Sequence, residues 1–177
     1  PHELIAAKLA VLSGKSVKIT LEREDVVWLG RGRHEISFNF KMACAADGRV
    51  TGVVIEATLN AGACGSFKFV TPFYAVQLIG LPTRMGSFRA KATSVYTNAA
   101  PSGPMRGHGT VQPVFPLQTA LDEAAEKLGI DPIEMRRINA VEEGGEVVNG
   151  FPIPSCAIRE ALDAVERMSD LCALRPT

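Results

Sequence analysis

The chain has 177 residues and a mass of 18.9 kDa, with 19 Lys and Arg against 19 Asp and Glu, 46% hydrophobic residues and 21% charged ones. That length fits one ordinary domain, or two very small ones, and is enough to bury roughly 70% of the unfolded surface. The zero net charge excludes a nonspecific nucleic-acid binder and a polybasic membrane-surface patch, the apolar content excludes a disordered chain, and no apolar run approaches the ~20 residues a membrane span needs.

Residues 3–13 read as a helix, with Leu4, Ile5, Leu9 and Leu12 on one face and Gly14 where a left-handed cap would end it. Val17, Ile19 and Leu21 alternate as in a strand with one buried face. Residues 22–33 are polar and read as a loop that includes Gly30-Arg31-Gly32-Arg33. Ile36, Phe38, Phe40 and Met42 then alternate, Asp47-Gly48 signals a turn, and Val53, Ile55, Ala57 and Leu59 alternate on the return, so residues 35–60 form a long hairpin. Gly62 and Gly65 mark an irregular segment. A short helix over 74–79 ends at Leu81-Pro82, and 86–97 reads as a further strand. Residues 98–110 are a turn-rich loop.

A helix follows to about Leu128, with Leu117, Leu121, Ala124, Ala125 and Leu128 at helical spacing; Pro113 and Pro116 complicate its start. Asp131-Pro132-Ile133-Glu134 carries a capping residue, a proline at the first helical position and a capping-box-like acid, opening a short helix to about Ala140. After a loop over 142–154, Ser155 is placed to cap a last helix, with Ile158, Leu162 and Val165 on one face. The order implies an α+β fold: a long antiparallel hairpin in a mixed, mainly antiparallel sheet, with packed helices.

Cys44, Cys64, Cys156 and Cys172 form no CxxC pair, so they read as buried, reduced thiols of a cytosolic protein rather than ligands of a metal or iron–sulfur centre made by this segment alone. The chain opens on Pro1, within a helical pattern and with no signal-peptide signature, as a piece of a longer protein would.

The concentrated chemical signal is 103–109, Gly-Pro-Met-Arg-Gly-His-Gly. Its glycines let backbone amides approach a ligand, Arg106 offers a fork of donors for an oxyanion, and His108 can donate, accept or stack. The helix that starts just after favours an anion at its first turn. Together these point to a bound anionic or polar cofactor; the plainer alternative is a solvent loop whose Arg106 pairs with a nearby carboxylate. The loop is neither a P-loop nor GxGxxG. Arg31, Arg33 and His34 form a second basic cluster, placed to meet a phosphate or a partner subunit, or simply to be solvated. His2 reads as incidental, Trp28 as packing and Glu142-Glu143 as solvated. No GxSxG or H-E-x-x-H occurs.

The 103–109 run resembles the Gly-Ala-Phe/Met-Arg-Gly-x-Gly loop of the xanthine dehydrogenase and aldehyde oxidase family, the molybdenum hydroxylases. Other segments are similar in the same order: Gly-Lys-Ser-Val-Lys-Ile-Thr-Leu-Glu-Arg-Glu from Gly14, Gly32-Arg33-His34, Val95-Tyr96-Thr97-Asn98, and Leu-Gly-Ile-Asp-Pro-Ile-Glu-Met-Arg-Arg-Ile-Asn from Leu128. The resemblance runs from residue 2 to about 168. It implies a partial molybdopterin-binding domain over 1–177, with a helix and strand-rich part over 1–100 and the cofactor loop and helices over 101–170.

The resemblance further implies that Met105, Arg106 and Gly107 contact a molybdenum–molybdopterin cofactor, that His108 and Tyr74 line the substrate side, and that no catalytic residue or direct metal ligand lies in this segment. Purine-oxidising members carry Phe at the position of His108 and Arg at that of Tyr74, so a purine substrate is not implied. The Arg-Gly-His-Gly-Thr-Val-Gln-Pro run looks closest to the catalytic subunit of 4-hydroxybenzoyl-CoA reductase. A glycine-rich cofactor loop before Pro1 and a glutamate general base far downstream are expected in the full chain. Iron–sulfur clusters and FAD are expected on partner subunits or domains of an oligomeric, cytoplasmic complex, so that this segment alone is inactive. A competing expectation is a non-catalytic binding domain on the same fold.

Overall fold

Period-two alternation drives β1 (Glu35–Cys44) and β2 (Val50–Asn60) into an antiparallel hairpin. The turn holds Gly48 at φ 86°, and Asp47 accepts from the Arg49 amide at 3.1 Å. The register pairs Phe38 with Ala57 and Phe40 with Ile55. The computed structural model describes residues 2–64 and 69–169, and of Leu29 the backbone only. β3 (Ser87–Val95) lies on the far side of β2 and runs parallel to it, with Ile55 opposite Ala90.

The inner face of this sheet carries the core. Val53 and Ile55 of β2 are buried against Leu117, Leu121 and Ala125 of helix α4 (Val111–Leu128) and Met135 of α5 (Pro132–Asn139), with Phe38, Phe40 and Phe88 half-buried alongside; Leu59, further along β2, is also fully buried. Each fully buried aliphatic side chain contributes about 1.5–3 kcal/mol. Asp131 caps α5, its carboxylate accepting from the Ile133 and Glu134 amides at 2.7 and 3.1 Å, and Gly129 at φ 66° ends α4. Asn139 joins α5 to the hairpin: its Oδ1 accepts from the Val50 amide at 2.8 Å, and its Nδ2 donates to the Gly48 and Met135 carbonyls, both at 2.9 Å.

Several expectations are corrected. The sheet is mixed with one antiparallel and one parallel pairing, not mainly antiparallel, because the 61–86 crossover, which includes α3 (Val70–Gln77), is long enough to return the chain in the same direction. That helix begins four residues before the predicted one. The stretch around Val17, Ile19 and Leu21 forms no strand; it has no neighbour to pair with among the described residues.

The predicted loop over 22–33 contains helix α2 (Arg23–Leu29), opened by a reciprocal capping box between Glu22 and Asp25, and Trp28 on it is exposed rather than packed. Glu134 lies 3.6 Å from Arg137. Helix α6 (Ile158–Ser169) starts three residues beyond Ser155, too far for that side chain to cap it. Arg137 holds α6 through Asp163 at 2.7 Å and Glu166 at 2.5 Å. Glu142 and Glu143 are exposed, as expected, and Glu142 also pairs with Arg159 at 2.9 Å.

No residue of α1 (His2–Ser13) is buried; Leu4 and Leu12 on its apolar face are 77% and 70% exposed. Pro113 falls in the first turn of α4, where a proline is tolerated, whereas Pro116 lies inside the helix and removes one backbone donor. Cys44 and Cys156 are half-buried free thiols, and Cys64 is exposed, not buried; Gly65 and Cys172 lie outside the described residues. Among the described residues no helix is long and apolar enough to cross a membrane.

Candidate functional site

The C-terminal end of β2 organises the site. Asn60 and Ala61 offer backbone carbonyls that Ser102 reaches with its hydroxyl at 3.1 Å and its amide at 3.3 Å. The Asn60 side chain accepts from the Gly62 amide at 3.0 Å and the Thr97 hydroxyl at 2.7 Å. Ser102 bridges Gly32, and the Gly103 amide donates to the Gly32 carbonyl at 3.0 Å. The segment before β1 and the segment before the 103–109 loop therefore enter the site side by side. Gly103 is buried against Arg31: a Cβ there would come within 2.8 Å of the Arg31 Cδ.

The loop then turns outward. Met105, Arg106 and Gly107 are exposed, while His108 is half-buried and Gly109 buried. Gly107 and Gly109 hold φ values of 71° and 75°, a conformation that favours glycine, so His108 is carried between two left-handed residues. A Cβ on Gly109 would lie 2.9 Å from the Thr71 carbonyl and 2.9 Å from the Tyr74 Cβ, so the loop is pressed onto α3. There the His108 Nε2 shares a 2.6 Å hydrogen bond with the Thr71 hydroxyl, and its ring makes a T-shaped contact with Tyr74, centroids 5.6 Å apart. Tyr74 in turn packs edge-on to Phe73 at 5.8 Å.

Arg33 is not simply solvated. Its guanidinium donates to the Arg106 carbonyl and, at 3.4 Å, to the Gly107 carbonyl. Tying these carbonyls to Arg33 leaves Arg106 exposed on the loop, four residues before Thr110 at the start of α4. Thr110 precedes that helix without capping it; its hydroxyl instead donates to the Gly107 carbonyl at 3.2 Å.

His34, one residue on, is 2% exposed, and neither ring nitrogen has a hydrogen-bond partner among the described residues. Burial pushes its imidazole below the ordinary histidine range, and the neighbouring His108 adds to the effect. Gln112 of α4 donates to the His34 carbonyl at 3.1 Å, while its own Oε1 is buried without a partner.

The structure thus gathers Arg33, Arg106, Gly107, His108 and Tyr74 around one loop, with Met105 on its outer side. One participant carried no sequence signal: Thr71, whose partner is 37 residues away; Gln112 stands in the quoted Arg-Gly-His-Gly-Thr-Val-Gln-Pro run, but its bond to the His34 carbonyl, 78 residues away, was not legible. Arg33 was visible as part of a basic cluster, but its bonding to the loop was not. An open cleft of about 630 Å³ lined by Arg49, Arg84 and Asn139 lies at the other end of β2 and shares no residue with this loop. Among the described residues no cluster of three His, Cys, Asp or Glu side chains forms a metal-ligating group.

The arrangement suits an anion. Arg33 bonds to carbonyls rather than to a carboxylate, and neither it nor Arg106 has a carboxylate partner among the described residues. The glycines let the loop pack tightly on Arg31, Val111 and α3 while Met105, Arg106 and Gly107 stay exposed, and His34 and Gln112 hold buried polar atoms without a partner among the described residues.

Comparison with known proteins gives a consistent result. Residues 1–140 match the family model of the molybdopterin cofactor-binding domain. Over 153 residues the chain is 32% identical to the xanthine dehydrogenase molybdenum-binding subunit of Escherichia coli O157:H7, covering 86% of this chain and 20% of that protein. It is 31% identical over 145 residues to the nicotinate dehydrogenase large molybdopterin subunit of Eubacterium barkeri, covering 81% and 34%. Among solved structures, aldehyde oxidoreductase from Desulfovibrio gigas superposes with a TM-score of 0.74 at 25% identity, covering 78% of this chain and 15% of that one. Quinoline 2-oxidoreductase from Pseudomonas putida 86 shares the fold with a TM-score of 0.80 at 21% identity, covering 99% and 23%. The chain spans about a fifth of the length of the first of these curated relatives.

Proposed function

This chain belongs to the molybdopterin cofactor-binding domain family of the molybdenum hydroxylases, and from that premise we propose that its 103–109 loop holds part of a molybdenum–molybdopterin cofactor. The observation that carries the proposal is the Arg33-braced, glycine-flanked loop with the exposed Arg106 beside the uncapped first turn of α4. In this reading the Arg106 guanidinium and the Gly107 amide bind the cofactor's anionic and polar groups, and Met105 packs against it. His108 and Tyr74 line the substrate side. They offer one polar and one aromatic surface, which suits a flat ring bearing a hydrogen-bonding group.

The enzyme that contains this chain is then an oxidoreductase that hydroxylates, or in the reverse sense dehydroxylates, an aromatic, N-heteroaromatic or aldehyde substrate. An aryl-CoA thioester, as in 4-hydroxybenzoyl-CoA reductase, is one such substrate. The bound cofactor supplies the two-electron exchange with substrate. Arg106 adds fixed positive charge beside it, electrostatic help rather than proton transfer. Iron–sulfur clusters and FAD on partner subunits or domains take up or deliver the electrons, in a cytoplasmic complex. The chain by itself, without the rest of the enzyme, is inactive.

The test is molybdenum and pterin content of the complete, natively purified protein, produced with its maturation partners. Stoichiometric molybdenum and pterin, lost in Arg106→Ala while the protein stays folded, support the reading and open a substrate screen with nicotinate, quinoline, benzaldehyde and 4-hydroxybenzoyl-CoA. A well-folded wild type without either would instead make the chain a binding domain with a degenerate cofactor site.

A further inference from the structure

We propose that Thr71 is a positioning residue that sets the His108 imidazole as the polar wall of the substrate pocket; the proposal rests on the reading of His108 as substrate-facing. Thr71 lies in the first turn of α3 and is fully buried, yet it spends its hydroxyl on the His108 Nε2 at 2.6 Å, a bond that spans 37 residues of chain. A hydroxyl serves either histidine tautomer there. It accepts from a protonated Nε2 or donates to a bare one, so the ring is held in orientation whichever nitrogen carries the proton.

Two further constraints hold the same ring. Tyr74, three residues on along α3, makes a T-shaped contact with the imidazole, centroids 5.6 Å and planes 65° apart. The left-handed glycines on either side set the backbone of His108, and Gly109 is so close to the Thr71 carbonyl that no side chain fits between them. The imidazole is thus ordered before any substrate arrives, which removes an ordering cost from binding. A polar group on a flat ring would meet a fixed hydrogen-bonding partner rather than a rotating one. Thr71 acts here through His108 and needs no contact with substrate.

The experiment uses the complete, cofactor-loaded enzyme and a substrate turned over in the screen above. Thr71→Val keeps the shape and removes the hydroxyl. The expected result is a KM raised up to about tenfold with a smaller fall in kcat, as losing one neutral hydrogen bond allows, while molybdenum and pterin content is kept. Thr71→Ser is expected to restore the native KM. In a His108→Phe background, Thr71→Val is expected to change KM no further, which also covers the case of a poorly folding single variant.

A readout independent of turnover is the rate at which diethyl pyrocarbonate modifies His108, followed by peptide mass spectrometry. It is expected to rise several-fold in Thr71→Val and stay native in Thr71→Ser. Full molybdenum with an unmoved KM, or an unmoved modification rate, overturns the role of Thr71 alone. A wild type without molybdenum and pterin overturns the functional reading and the substrate role of His108 with it.

Discussion

The Arg33 guanidinium donates to the backbone carbonyl of Arg106, 73 residues further along the chain. One basic side chain thereby supports the loop that presents another. The pairing converts a surface arginine into a strut and fixes which way the peptide units of the loop face.

Replacing Arg33 tests that strut. Arg33→Met removes the guanidinium that donates to the Arg106 and Gly107 carbonyls and leaves the Gly107 carbonyl only its Thr110 donors. The complete protein is expected to lose cofactor, read as molybdenum and pterin per polypeptide, with little change in its unfolding midpoint. Arg33→Lys is expected to recover only part of the content, because an ammonium lacks the planar fork that spans two acceptors. Full cofactor content in Arg33→Met would show that the loop holds its shape without the strut.

Gly109 is the tightest point between the loop and α3. Gly109→Ala places a Cβ 2.9 Å from the Thr71 carbonyl in a residue held at φ 75°. The left-handed backbone alone costs about 1–2 kcal/mol, and the clash adds to it. A lowered unfolding midpoint together with a greater exposure of His108 to chemical modification is the expected outcome; a native midpoint would mean that α3 yields freely.

Asn139 spends its whole amide on backbone groups while 3% exposed. Asn139→Ala takes the side-chain partner from the Val50 amide and the Gly48 carbonyl, while the Met135 carbonyl keeps its helical bond, and is expected to cost about 2–4 kcal/mol in denaturant unfolding. Asn139→Asp is expected to destabilise as well, since a carboxylate still accepts from Val50 but turns an acceptor toward the Gly48 and Met135 carbonyls. Stability within error of wild type for Asn139→Ala would refute the pinning role.

His34 sets a pH dependence of known sign. Its folded-state pKa is lowered by burial and by His108, so the folded protein resists taking up the proton that the unfolded chain accepts. The contribution is present in full above the ordinary histidine value near 6.5 and is lost as pH falls through the lowered folded-state value. The unfolding midpoint of wild type is therefore expected to drop on acidification below about pH 6.5 more steeply than that of His34→Phe. Parallel curves for the two proteins would exclude His34 as the titrating group.

Much of this fold was legible in the sequence because its signals are local. Alternating apolar residues around Asp47-Gly48 specify the hairpin, and Asp131-Pro132 with Gly129 mark where two helices meet. The Gly-Pro-Met-Arg-Gly-His-Gly loop was legible as a place where backbone and cation could meet an anion, since glycine and arginine state that chemistry by themselves.

Other features were decided only by the tertiary structure. The parallel direction of β3 depends on how the 61–86 crossover packs, and a strand's own alternation is the same in either direction. The apolar residues of α1 form a clean face in sequence yet stay exposed, because periodicity names a face without naming its partner. Arg33, His34 and Arg31 look alike as a basic cluster, but one braces a loop, one is buried neutral and one packs its stem against Gly103. Thr71 and His108 meet across 37 residues through a single hydrogen bond, which leaves no repeat, cap or spacing to read. Sequence patterns record what neighbours along the chain impose on one another; contacts between distant residues come into being when β2, α3 and α4 pack.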